Sequence, residues 1–190
     1  MLRKIDYNAP VTLSFAIASF IVLFLSWVTG GLTTTKLFCV YGSSWSDPLT
    51  YVRLFGHVLG HADLNHYISN MTLFLLLGPI VEDDYGSSRL LLMISITAVV
   101  TGLVDMIFFP NVGLLGASGV VFMMIILASM VSYRRGTIPL TFILVTIMYL
   151  GQEIYNAFFS VDDISQLTHI IGGLCGLVFG MLLRRGRGRR

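Results

Sequence analysis

The chain has 190 residues, of which 55% are apolar and only 12% charged, with a formal net charge of +2 and a mean hydropathy of +0.83. So few charges exclude a soluble domain, because they could not cover its surface. The length leaves room for one domain, and two cysteines make no disulfide framework.

Apolar runs long enough to cross a hydrocarbon core of about 30 Å recur along the whole sequence. Six are expected, at Val11–Val28, His66–Val81, Leu90–Phe109, Ala117–Tyr133, Ile138–Phe158 and Leu167–Leu183. The first follows Arg3 and Lys4 as a signal peptide would, but it is long and no A-x-A site follows it, so it reads as a retained helix. Six spans put both termini on one side. That side collects Arg3, Lys4, Arg89, Arg134, Arg135, Arg184, Arg185, Arg187, Arg189 and Arg190, ten of the twelve basic residues, and leaves Lys36 and Arg53 opposite. Positive charge marks the cytoplasmic flanks, so both termini are expected in the cytoplasm. No linker or repeat divides the chain, and residues 1–190 read as one all-α membrane domain.

Between the first and second spans lies a long connection, Thr29 to Asn65, expected outside. It mixes Leu37, Phe38, Tyr41, Trp45, Tyr51, Leu54 and Phe55 with the turn residues Gly42, Ser43, Ser44, Asp47 and Pro48. Long loops in compact folds usually carry function, and this one is expected to dip into the membrane interface. It also holds His57 and His61, spaced i, i+4 as metal ligands can be. No carboxylate or cysteine completes a set, so both are expected to hydrogen-bond loop backbone, with no metal.

The polar residues of the spans can be placed by depth. His66 and Asn70, also i, i+4, share one face in the first turns of the second span and aim two donors at one region. Glu82, at its inner end, reads as a structural hydrogen-bond acceptor. Ser118 opens the fourth span within Gly116-Ala117-Ser118-Gly119, where glycines admit close approach and free N–H groups at a helix start suit an oxyanion. His169 opens the sixth span, three residues before Gly172. Gly172, Gly176 and Gly180 recur every four residues, a pattern that lets membrane helices pack at short range. Contact with the fourth span along that face would bring His169 to Ser118 as a general base. Asp105 and Glu153, on the third and fifth spans, remain open as triad acids or gating groups.

The set of motifs resembles the rhomboid family of intramembrane serine proteases over nearly the whole chain. Gly116-Ala117-Ser118-Gly119 stands as its GxSG, His66 with Asn70 as its HxxxN, and His169 with Gly172 and Gly176 as its last motif. His57, His61 and the run Gly78, Glu82, Gly86 are also similar. The resemblance implies a six-helix bundle with a Ser118–His169 dyad and no third carboxylate. It also implies an oxyanion held by His66, Asn70 and the Ser118 N–H, with Gly116 beside the substrate. Phe122 stands where many relatives stack a tyrosine on the histidine, and Val52-Arg53 stands for their Trp-Arg pair.

A serine endopeptidase cutting transmembrane proteins is therefore expected, without cofactor, in a prokaryotic cell membrane. The alternative is an inactive relative that binds or escorts transmembrane clients. The basic tail after Leu183 reads as an anchor to anionic membrane lipid, with no nucleic-acid partner.

Overall fold

A computed structural model describes residues 6–136 and 163–183, with isolated helical positions between them at 140, 143, 144, 147, 148, 151 and 155. Most of the fifth expected span, Glu153, Arg3 and Lys4, and the basic tail lie outside the described residues.

The described residues form an all-helical bundle without strands. Helix α1 is Pro10–Val28, α2 Leu32–Leu37, α3 Pro48–Gly56, α4 Leu64–Tyr85, α5 Ser87–Phe108, α6 Ser118–Arg135 and α7 Asp163–Leu182, and a 3-10 turn at His57–Leu59 joins α3 to α4. Local chemistry sets several boundaries. Pro10 and Pro48 start α1 and α3, where the missing N–H costs nothing. Asp47 caps α3 through Leu49 N–H at 3.0 Å, and Asp63 caps α4 through His66 N–H at 2.8 Å. Gly86, at φ +88°, ends α4 and begins α5 in a conformation closed to ordinary side chains.

Among the described residues three helices, α1, α4 and α5, are long and apolar enough to cross a membrane. Their outward faces carry Ile17, Phe20, Ile21 and Phe24 on α1 and Leu91 and Leu92 on α5, all exposed, while Thr12, Ser19, Thr97 and Thr101 are buried. That inversion of the soluble pattern suits a surface facing hydrocarbon.

At the centre stands α6. Val120, Val121, Met123, Met124, Leu127, Ala128 and Val131 are all wholly buried, and the helix packs most extensively on α7 and next on α4. Phe74, Leu77 and Val81 of α4 and Leu90 and Met93 of α5 complete the core.

Glu82 ties α1 to this core. Its carboxylate accepts from Val11 N–H (2.9 Å), Thr12 N–H (2.9 Å), Thr12 Oγ1 (2.8 Å) and Ser87 Oγ (2.7 Å). It thus satisfies orphan donors at the α1 start from another helix. Gly78, one turn earlier, leaves the space that the Thr12 side chain fills.

The long connection after α1 is ordered by α2, α3 and the 3-10 turn, which hydropathy did not resolve. Arg53 turns inward from α3. Its Nε donates to Lys36 O at 2.9 Å, its Nη1 lies 3.1 Å from Asp47 Oδ2, and its guanidinium covers the Tyr41 ring at 4.7 Å. Away from Arg53, α3 leaves Tyr51, Val52 and Phe55 exposed, with Trp45 just before the helix and Leu49 in its first turn also exposed.

Candidate active site

Ser118 is the first residue of α6 and is half-buried. The loop before it is held by backbone. Gly42 N–H donates to Pro110 O (2.9 Å), Val40 and Leu114 exchange two bonds (2.9 and 2.8 Å), and Gly116 N–H donates to His57 O (3.0 Å). Four bonds from the α1–α4 connection therefore fix the approach to the serine. Gly116 has φ +123°, and a Cβ there would lie 2.7 Å from His66 Nε2. Both facts require glycine, the first for conformation and the second for space.

Helix α7 reaches this point through its glycines. A side chain at Gly172 would collide with the Gly119 carbonyl, and a Cβ at Gly176 would lie 2.6 Å from Met123 O. The two backbones therefore touch one residue beyond Ser118. A Cβ at Gly119 would also lie 3.1 Å from Thr168 Cγ2 and 3.2 Å from Thr101 Cγ2. His169, next to Thr168, is buried and lies flat on Phe122, with ring centroids 4.4 Å apart and planes 11° apart. Phe122 follows Ser118 by four residues, so serine and stacked histidine meet the same face of α6.

The α4 face contributes His66 and Asn70. Ala62 N–H donates to His66 Nδ1 at 3.4 Å, which makes Nδ1 an acceptor and places the proton of the neutral ring on Nε2. That N–H edge is the one beside Gly116. Asn70 is buried and donates through Nδ2 to His66 O at 3.0 Å, which leaves a second N–H on the same nitrogen.

His57 and His61 support the loop. His57 Nδ1 faces Arg53 O (3.3 Å) and Leu54 O (3.2 Å), so it carries the proton, and Nε2 faces Thr101 Oγ1 at 3.4 Å. The single Thr101 proton goes to Thr97 O at 2.8 Å, the shorter and stronger bond. His61 Nδ1 lies 3.1 Å from Leu59 O. Burial pushes both rings down from 6.5 to about 4, with the neighbouring His66 adding to the shift at His61. Both are neutral at physiological pH. Among the described residues no group of three metal-ligating side chains occurs.

Asp105 sits on the Thr97–Thr101 face of α5, buried, with neither carboxylate oxygen hydrogen-bonded to any described residue. A triad acid would hydrogen-bond the histidine it orients, and no described histidine stands in that relation to Asp105. The contribution of Thr101, between His57 and Gly119, was missed from the sequence. A polar stripe at Thr97, Thr101 and Asp105, spaced by four along an apolar span, was the available signal.

A family model described as the Rhomboid domain matches residues 48–186. The chain belongs to the rhomboid family. Family membership and the apolar helices make it a multi-pass membrane protein. Rhomboid relatives of similar sequence include "Rhomboid protease GlpG" of Haemophilus influenzae, 23% identical over 133 residues that span 68% of each chain. "Rhomboid protease GluP" of Bacillus subtilis is 29% identical over 177 residues, 88% of this chain but 33% of that protein. "Rhomboid-related protein 2" of mouse is 28% identical over 155 residues, 70% of this chain and 51% of the relative. This chain thus spans a third to a half of the longer relatives. Within the rhomboid match lie α3 to α7 and every residue of the site, whereas α1 and α2 precede it.

Proposed function

We propose that this chain is an intramembrane serine endopeptidase in which Ser118 is the nucleophile and His169 the general base. The observation that carries the reading is the seating of α7 on α6. Gly172 lies on the Gly119 backbone while the His169 ring stacks on Phe122, so the imidazole is held on the Ser118 face.

In the proposed reaction His169 takes the Ser118 proton as Oγ bonds to the substrate carbonyl carbon. His66 Nε2–H, Asn70 and the Ser118 N–H receive the oxyanion, each such donor supplying about 3 kcal/mol in a well-organised site. The C–N bond then breaks as the histidine proton passes to the leaving amine, and water repeats the sequence on the acyl-enzyme. The imidazolium that forms midway lies over the Phe122 face, where the ring quadrupole favours a cation.

The proposed setting is a six-span bundle, residues 1–190, in a cell membrane, with both termini cytoplasmic and the site in the outer half. Its substrates are transmembrane segments of other proteins. These must unwind locally, since a helical peptide bond is shielded by its own turns. The exposed Trp45, Tyr51, Val52 and Phe55 would seat the loop in the interface, where aromatic residues concentrate.

Labelling with a fluorophosphonate probe tests the reading. The wild type should label, and Ser118→Ala and His169→Ala should not. Equal labelling of wild type and Ser118→Ala would overturn it.

A further inference from the structure

His61 lies in the short link between the 3-10 turn and α4, wholly buried. Its Nδ1–H is fixed on Leu59 O, and its Nε2 has no hydrogen-bond partner among the described residues. The ring meets the Tyr67 ring nearly perpendicularly, with centroids 5.5 Å apart and planes at 80°. Tyr67 is itself fixed, its hydroxyl donating to Ala16 O at 3.1 Å. The His61 ring also meets His66, edge-on at 5.1 Å and 69°.

His66 by contrast is half-buried, and among the described residues the one hydrogen bond to its ring is the 3.4 Å contact from Ala62 N–H. A hydrogen bond that long is weak and cannot alone hold a ring in one orientation. Yet an oxyanion donor must be aimed to within about 0.5 Å. Ala62, the source of that bond, directly follows His61 in sequence. Anchoring His61 on Leu59 therefore fixes both the ring that abuts His66 and the N–H that sets its tautomer.

We propose that His61 is the positioning residue for His66, holding the imidazole with Nε2–H aimed at the Gly116–Ser118 segment. This rests on the reading of His66 as an oxyanion donor. At neutral pH the His61 ring is uncharged, so it packs on His66 without placing a positive charge beside it.

The test is a mutant cycle on the full chain in lipid nanodiscs, read as the second-order rate of Ser118 labelling by a fluorophosphonate, whose phosphoryl oxygen needs the same donors. His61→Asn keeps a donor for Leu59 O but removes the ring, and should slow labelling about tenfold. In a His66→Ala background the same change should slow it less than about twofold. His61→Phe keeps a ring and should lie between wild type and His61→Asn. Equal slowing by His61→Asn in both backgrounds, or none in either, would overturn the proposal while leaving the protease reading intact. Loss of Ser118 dependence would instead remove the protease reading, and a His66→Ala rate equal to wild type would remove the oxyanion assignment and this proposal with it. If His61→Asn does not fold, the cycle is run with His61→Phe alongside the ring ¹⁵N shifts of His66. A shifted tautomer balance supports the proposal, and an unchanged one overturns it.

Discussion

Phe122 and His169 lie face to face, 4.4 Å between ring centroids and 11° between planes. The ring supplies the surface, and the stack needs no hydroxyl. Phe122→Tyr should therefore leave turnover near wild type. Phe122→Leu should lower kcat/KM about fivefold, since an aromatic pair contributes about 1 kcal/mol beyond area burial. Peptidase assays on both variants check this, and a Tyr variant several-fold more active would show that a hydroxyl contributes.

The α6–α7 contact is intolerant at one glycine and tolerant at its neighbour. A Cβ at Gly172 collides with the Gly119 carbonyl, whereas at Gly173 the nearest atom is Ile126 Cγ1 at 4.0 Å. Gly172→Ala should force the helices apart and lower labelling of Ser118 at least about tenfold, because small displacements of reacting groups are costly. Gly173→Ala should label within about twofold of wild type, its helix propensity being better by about 1 kcal/mol.

Much of this arrangement is legible in the sequence, and the reasons differ by residue. Apolar length locates α1, α4 and α5, because a helix facing hydrocarbon must be apolar for its whole length. The repeat at Gly172 and Gly176 signals where backbones meet, since only small residues admit that approach. The pairing of Val40 with Leu114 and of Gly116 with His57 O left no trace. Backbone bonds between distant segments need no particular side chains. Helix α3 was hidden for a related reason: it exposes Leu49, Val52 and Phe55 and buries Arg53, the reverse of the pattern by which a surface helix is recognised.

Glu82 accepts four hydrogen bonds, two of them from backbone N–H groups of α1. Glu82→Gln keeps the shape but turns one acceptor into a donor facing other donors. It should destabilise the protein by about 2 kcal/mol, read as a lower thermal unfolding midpoint in detergent. An unchanged midpoint would mean that α1 is held by its apolar face alone.

Asp105 should behave in the opposite way. Its two buried oxygens have no hydrogen-bond partner among the described residues, a costly state for a carboxyl. Asp105→Leu is expected to raise the unfolding midpoint by a few degrees, about 1 kcal/mol, with Ser118 labelling within about threefold of wild type. A loss of labelling comparable to His169→Ala would instead make it part of the dyad's machinery.

Stability should fall on mild acidification. His57 and His61 titrate near 4 in the fold and near 6.5 when unfolded. Above 6.5 both states are neutral and the stabilisation is complete. Between 6.5 and 4 the unfolded chain takes up protons that the fold refuses, so stability drops by up to about 1.4 kcal/mol per pH unit for each histidine. Below 4 the loss levels off. Unfolding midpoints between pH 7 and 4 check this, and His57→Gln should flatten the slope.

The carboxylate of Glu82 has a consequence for where this protein could be cut. The family match begins at residue 48, yet Val11 and Thr12 supply three of the four donors that Glu82 accepts. Residues 40 and 42 likewise pair with 114 and 110. A fragment trimmed to the matched region would retain every residue proposed to react and still strand a charge at a helix junction. The charge at that junction is answered from outside the matched region, so the first helix belongs to the folded unit that holds the site.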